Sequence, residues 1–274
     1  MGKINIQMYS FFDGKHNDSR ENLRTAAELG YDGVELFTPD FGIPADEMKS
    51  LTEELGLAVV SMHAPAKGDI VGLIPYAKAL GCHNIGLSME TMMTEADVHR
   101  WAGEMNEIGK VLKAEGCRMI YHNHTQEFAP CGDARIIDVL IRETDPEGVG
   151  FELDAGWCAA AGFDPIEVVS EYAGRIKLIH IKESSEVIGP LPPIDITKAE
   201  IVDGRPVFSP EVQAMLDHAR AINCPACEGL VDWAGLKAAA DAAGCEAYIV
   251  EREFSKGDRV EQLREDLMRY RNIF

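Results

Sequence analysis

The chain has 274 residues, 46% hydrophobic and 26% charged, a globular mixture large enough for one big domain or two small ones. Its 26 Lys and Arg against 46 Asp and Glu leave a formal net charge of −20, a field that repels phosphate backbones and anionic membrane surfaces. No local basic patch opposes it, so nucleic acid is not an expected partner.

In chain order, the opening MGKINIQMYSFF lacks the basic-then-apolar pattern of a secretory signal, and no later run approaches membrane-spanning length. INIQMY reads as a first strand. A module then recurs: helical sequence, a glycine, and within a few residues a strand rich in Val and Ile. It appears as AAELGYDGVELF, TEELGLAVVSMH, AKALGCHNIGLS, LKAEGCRMIYHN, EYAGRIKLIHIK and ADAAGCEAYIVE. Glycines 30, 56, 81, 116, 174 and 244 are predicted to end helices in the left-handed conformation. VGFELDAG, after the helix DARIIDVLIRE, completes eight strands, each followed by helical sequence.

Near-continuous apolar strands under helices suit a parallel sheet, and eight such units in this length predict a single (β/α)8 barrel spanning residues 1–274. An open doubly wound sheet would carry a glycine-rich phosphate loop after its first strand, and SFFDGK is not one. The stretch ESSEVIGPLPPIDITKAEIVDGRPVF exceeds the repeat. With SPEVQAMLDHARAI it predicts an elaborated loop and an extra helix, around residues 210–221, after strand seven; it is either a cover over the mouth or a passive excursion.

Seven cysteines, an odd number without a disulfide-framework spacing, suit a reducing cytoplasm. Cys224 and Cys227 in CPAC have redox or zinc spacing, but no second CxxC or His pair follows, and a plain turn is the simpler reading.

Side chains at i and i+2 share one face of a strand, and barrel sites lie at the C-terminal strand ends. Those ends offer Glu35; Ser61 and His63; His122 and His124 in YHNHTQEF; Glu152 and Asp154; His180 and Lys182; Glu251 and Glu253. One histidine at a strand end is commonly structural, and Glu152 or Glu253 alone could be ion-paired near the rim. Six strands delivering imidazole, carboxylate or ammonium to one end would bury charge at a high cost without a ligand. Imidazole and carboxylate without thiolate suit one divalent ion: Mn, Mg, Co or Zn. Such an ion polarises a carbonyl or hydroxyl and stabilises a developing enediolate while carboxylates move protons.

In SMHAP, YHNHTQEF, FELDAGW, LIHIKE and EGLVDWAGLKAAADAAGCEAYIVERE, nearly the whole chain resembles the xylose-isomerase-like barrel family, the sugar phosphate isomerases/epimerases and related dehydratases. The resemblance implies metal ligands at His122, Asp154, His180 and Glu251, with Glu35, His63, Trp157 and Lys182 facing the substrate. Trp157 reads equally as packing beneath the next helix. Where the epimerase pattern has a glutamate on strand five, this chain has His122. That leaves Glu251 as the acid/base among the ligands, helped by His124 or Glu127. The resemblance implies a metal-dependent isomerase or epimerase of a keto-sugar or inosose. A dehydratase or lyase on the same site, and a sugar-binding barrel without catalysis, are the alternatives. The expected partner is a small sugar-like molecule, with neither nucleic acid nor membrane; homo-oligomer formation stays open.

Overall fold

A computed structural model of the chain describes residues 2–12, 18–65, 68–202, 205–254 and 256–274. Asp13, Gly14 and Lys15 of SFFDGK, and Asp203 and Gly204 of the long segment, lie outside these described residues. The strands are β1 Ile4–Gln7, β2 Gly33–Leu36, β3 Ala58–His63, β4 Asn84–Leu87, β5 Arg118–His122, β6 Val149–Asp154, β7 Ile176–Ile181 and β8 Ala247–Val250. They pair in parallel and close in the order β1-β8-β7-β6-β5-β4-β3-β2. This is the predicted (β/α)8 barrel.

The helices between them are α1 Ser19–Leu29, α2 Ala45–Leu55, α3 Ile74–Leu80, α4 Glu95–Ala114, α5 Ile136–Glu143, α6 Ala155–Ala160, α7 Pro165–Glu171, α8 Pro210–Ala221, α9 Trp233–Ala243 and α10 Arg259–Tyr270. The six glycines expected at helix ends all adopt positive φ, between 66° and 96°, where an L side chain is strained. One predicted helix starts late. In DARIIDVLIRE, Ala134–Arg135 pairs with Pro130–Cys131 as a small hairpin, and α5 begins at Ile136. Asp138 accepts from the Arg135 amide at 2.9 Å, which caps the first turn.

Alternation along the strands sorts the core into two parts. Met119, Tyr121, Phe151, Leu153 and Ile179 face the helices, while Ile120, Leu178, Ala247 and Ile249, with Val60 against them, form a small apolar plug. Pairing skips a residue twice, opposite Val34/Glu35 on β3 and opposite Phe151/Glu152 on β7. Such bulges re-aim the side chains that follow, here Ser61 with His63 and Leu178 with His180. The extra helix α8 lies beside the site: Ala219 and Ile222 pack with Trp157 and Ala160, and Ser184 bridges to Asn223. No helix among the described residues is long and apolar enough to cross a membrane.

Candidate metal centre

The C-terminal strand ends bring polar groups together within the barrel wall. His122 Nε2 stands 3.8 Å from Asp154 Oδ2, and His180 Nδ1 stands 4.0 Å from the same oxygen and 3.5 Å from Glu251 Oε2. One donor atom from each of these four residues lies within 4.8 Å of all the others. Tetrahedral ligands at ~2.1–2.2 Å from an ion stand ~3.4–3.6 Å apart, close to the spacing found here. Asp154 Oδ2 and His180 Nδ1 are buried without a hydrogen-bond partner. Burial pushes the Asp154 carboxyl up to about 7 despite the opposing pull of Lys182, so this point is short of positive charge. Burial, with His180 beside it, lowers His122 to about 4, which keeps its imidazole neutral. Two imidazoles and two carboxylates, with orphaned donor atoms turned to a common centre, fit a divalent ion.

A second set of contacts holds the rings from the far side. Glu152 Oε2 lies 2.8 Å from His63 Nε2, 3.0 Å from His122 Nδ1 and 3.2 Å from His180 Nε2. Glu35 Oε1 lies 2.8 Å from His180 Nε2 and accepts from Gln7 Nε2 at 2.5 Å. Glu152 is therefore not near the rim, as it could have been, but fully buried among three histidines. Burial raises its carboxyl, yet His180 and the other imidazoles outweigh this and hold it well below the ordinary range. In the sequence, the i, i+2 rule puts Glu152 with Asp154 on the inward face of its strand without assigning it a role, and Gln7 is not singled out.

The residues expected at the substrate divide in two. Glu35 is fully buried behind His180, and His63 turns Nε2 onto Glu152 with 8% of the residue exposed. Lys182 and Trp157 stand with Glu251: Lys182 Nζ lies 3.2 Å from Glu251 Oε2, 2.5 Å from Glu253 Oε1 and 4.3 Å from the centre of the indole ring. Burial raises the Glu251 carboxyl, but the Lys182 ammonium and His180 outweigh it and keep Glu251 well below its usual range, hence ionised. Trp157 is also a packing residue of the α6–α8 contact. Its amide donates to Asp154 Oδ1 at 2.8 Å, which caps α6 and aims the second oxygen inward. His124 lies 5.0 Å from the His122 ring and 6.1 Å from that of Trp157, and its Nδ1 has no partner. Glu127 is engaged elsewhere: its oxygens accept from the Tyr121 hydroxyl at 2.9 Å and the His124 amide at 2.7 Å, fixing the turn after β5.

Residues 23–273 match the family described as xylose isomerase-like TIM barrel. The chain belongs to that family. Among curated relatives, an inosose dehydratase of Clostridium tetani is 32% identical over 111 residues, 38% of this chain and 37% of that protein. An inosose dehydratase of Clostridium botulinum is 29% identical over 195 residues, 62% and 65% of the two chains. The matched segments thus span from about a third to just under two thirds of these relatives' lengths. Of solved structures, a sugar phosphate isomerase/epimerase from Parabacteroides distasonis superposes with TM-score 0.70 at 22% identity, covering 98% of this chain and 93% of that one. The IOLI protein, solved with a bound zinc atom, gives 0.69 at 13% identity over 99% and 98%. At these identities the superpositions establish the fold.

Proposed function

We propose that this chain is a divalent-metal-dependent isomerase or epimerase of a small polyhydroxylated carbonyl compound, of the keto-sugar or inosose type. The observation that carries this reading is the convergence of His122 Nε2, Asp154 Oδ2, His180 Nδ1 and a Glu251 oxygen beside Lys182 and Trp157. A bound divalent ion would withdraw electron density from the substrate carbonyl and acidify the neighbouring C–H. Glu251, ionised and oriented by Lys182, takes that proton. His124, with Nδ1 free, handles a proton from the strand-five side. Trp157 and the Lys182 stem wall the site against water.

A second reading, a dehydratase on the same centre, is favoured by one specific feature. Strand five places His122, not a carboxylate, in the metal group, so only Glu251 of its members is suited to proton abstraction. A departing hydroxyl would then leave as water with the proton taken up by Glu251, the Lys182 ammonium beside it holding the oxygen. The curated relatives named above as inosose dehydratases support this second reading. The test is metal analysis of the purified protein, then incubation with keto-sugars and keto-inositols in heavy water. Deuterium in a product of unchanged skeleton supports isomerisation or epimerisation, and loss of the mass of one water supports dehydration. Metal-free protein inert after adding each of Mn, Mg, Co and Zn would overturn both.

A further inference from the structure

We infer that two buried carboxylate oxygens, Glu152 Oε2 on His122 and Glu35 Oε1 together with Glu152 Oε2 on His180, decide which nitrogen of each histidine is presented to the metal; this rests on the metal-centre reading above. A neutral imidazole carries one N–H and one lone pair, and a carboxylate oxygen only accepts. Both nitrogens of each ring face carboxylates, and the nitrogen at hydrogen-bond distance holds the proton while the more distant one holds the lone pair.

For His122 the nitrogen facing Glu152 Oε2 is Nδ1, at 3.0 Å, which leaves the lone pair on Nε2, turned toward Asp154. For His180 it is the other nitrogen. Nε2 lies 3.2 Å from Glu152 Oε2 and 2.8 Å from Glu35 Oε1, leaving the lone pair on Nδ1, turned toward Asp154 and Glu251. Two neighbouring ligands thus take opposite tautomers, set by two buried carboxylates, with Glu152 Oε2 reaching both rings. The same oxygen holds His63 Nε2 at 2.8 Å, and the Gln7 amide keeps Glu35 Oε1 in place as a second arm on His180.

The arrangement has a competitor. His63, His122, Glu152 and His180 form a second group of potential ligands, in which the ion would sit on His122 Nδ1 and His180 Nε2. Those nitrogens already stand at hydrogen-bond distance from carboxylates, while His180 Nδ1 and Asp154 Oδ2 have no partner. Glu152 is accordingly a positioning residue, of the kind that orients metal-bound histidines from behind.

The experiment uses the full chain with 15N-labelled histidine, loaded with zinc, and reads by NMR which ring nitrogens carry a proton and which bind the metal. The expected result is zinc on His122 Nε2 and His180 Nδ1 with their other nitrogens protonated. Glu152→Gln should weaken zinc binding roughly 10- to 100-fold and abolish the protonated His122 Nδ1 signal, and Glu152→Asp should restore part of both. Zinc on His122 Nδ1 or His180 Nε2 overturns the inference and leaves a metal enzyme standing. So does a folded Glu152→Gln protein with wild-type affinity and spectra. Wild-type protein that takes up no zinc, manganese, magnesium or cobalt overturns the metal reading itself. The wild-type spectra decide the nitrogen assignment even if the variants fail to fold.

Discussion

At the N-terminal end of the barrel, Arg118 donates to Asn84 Oδ1 at 3.1 and 2.8 Å and to both oxygens of Glu246 at 2.9 and 2.5 Å. Asn84 in turn donates to the Val60 carbonyl at 2.9 Å. These residues border a cavity of about 480 Å³ whose charged lining includes this paired set. At the C-terminal end, Glu35 Oε2, His124 Nδ1, Glu152 Oε1, Asp154 Oδ2 and His180 Nδ1 are all buried without partners. Both ends are polar, but the Arg118–Asn84–Glu246 set is paired throughout, whereas the imidazole and carboxylate cluster at the second keeps several atoms unpaired. Leaving buried polar atoms unpaired costs free energy in every folded molecule, so a site that keeps several is built to receive something. Unmet valence, more than cavity size, sets the C-terminal end apart.

That contrast can be broken from either side. The largest effect is expected at Asp154. Asp154→Asn keeps the cap on the Trp157 amide but removes the inward charge, so metal affinity should fall roughly 100-fold or more, with folding intact; equilibrium dialysis with metal analysis checks it. Next, Glu251→Gln should lower turnover by roughly 100-fold or more while retaining most of the metal. Solvent deuterium exchange at the wild-type rate in that variant would move the base to another residue. At the opposite end, Arg118→Met should cost about 1–3 kcal/mol of stability by stranding Asn84 Oδ1, and lower Tm by several degrees. Its metal content should not change, and a loss of metal there would contradict the division drawn between the two ends.

The smallest effect is a pH dependence away from the metal. Glu183 Oε1 accepts from the Cys227 amide at 2.6 Å and Trp233 Nε1 at 2.5 Å, while Oε2 is buried and unpartnered. Burial pushes this carboxyl up to about 7. A carboxyl raised on folding contributes its stability below its unfolded pKa and loses it as pH rises through the folded value. Glu183→Gln, always neutral, should match the wild type near pH 5 and melt a few degrees higher near pH 8. Melting curves at the two pH values, with metal content unchanged, sharpen the contrast between a strained structural carboxylate and a ligating one.

Much of this was legible in the chain because it is local. A glycine at a helix end followed by Val and Ile is a short-range signal, and the barrel follows from six repeats of it with INIQMY and VGFELDAG completing the eight strands. Period-two alternation put His122, Asp154, His180 and Glu251 on inward faces from their strands alone. The late start of α5 was not legible, because it depends on Ala134–Arg135 pairing with Pro130–Cys131, which removes the first residues of DARIIDVLIRE from the helix. The part played by Glu152 was hidden for a different reason. Its partners His63, His122 and His180 lie 89, 30 and 28 positions away on three other strands.

The sequence by itself determined the fold, the inward faces and the chemical kinds of group gathered at one end, since each depends on residues within a few positions of one another. Only the tertiary structure decided which carboxylate meets which imidazole, on which nitrogen, and which donor atoms are left over. Those outcomes depend on how far each strand is staggered against its neighbours, on the skipped residues opposite Val34/Glu35 and Phe151/Glu152, and on the closure of the barrel. A shift of one residue in any of these would bring different donor atoms together across the strands, and no short segment of the chain contains that information.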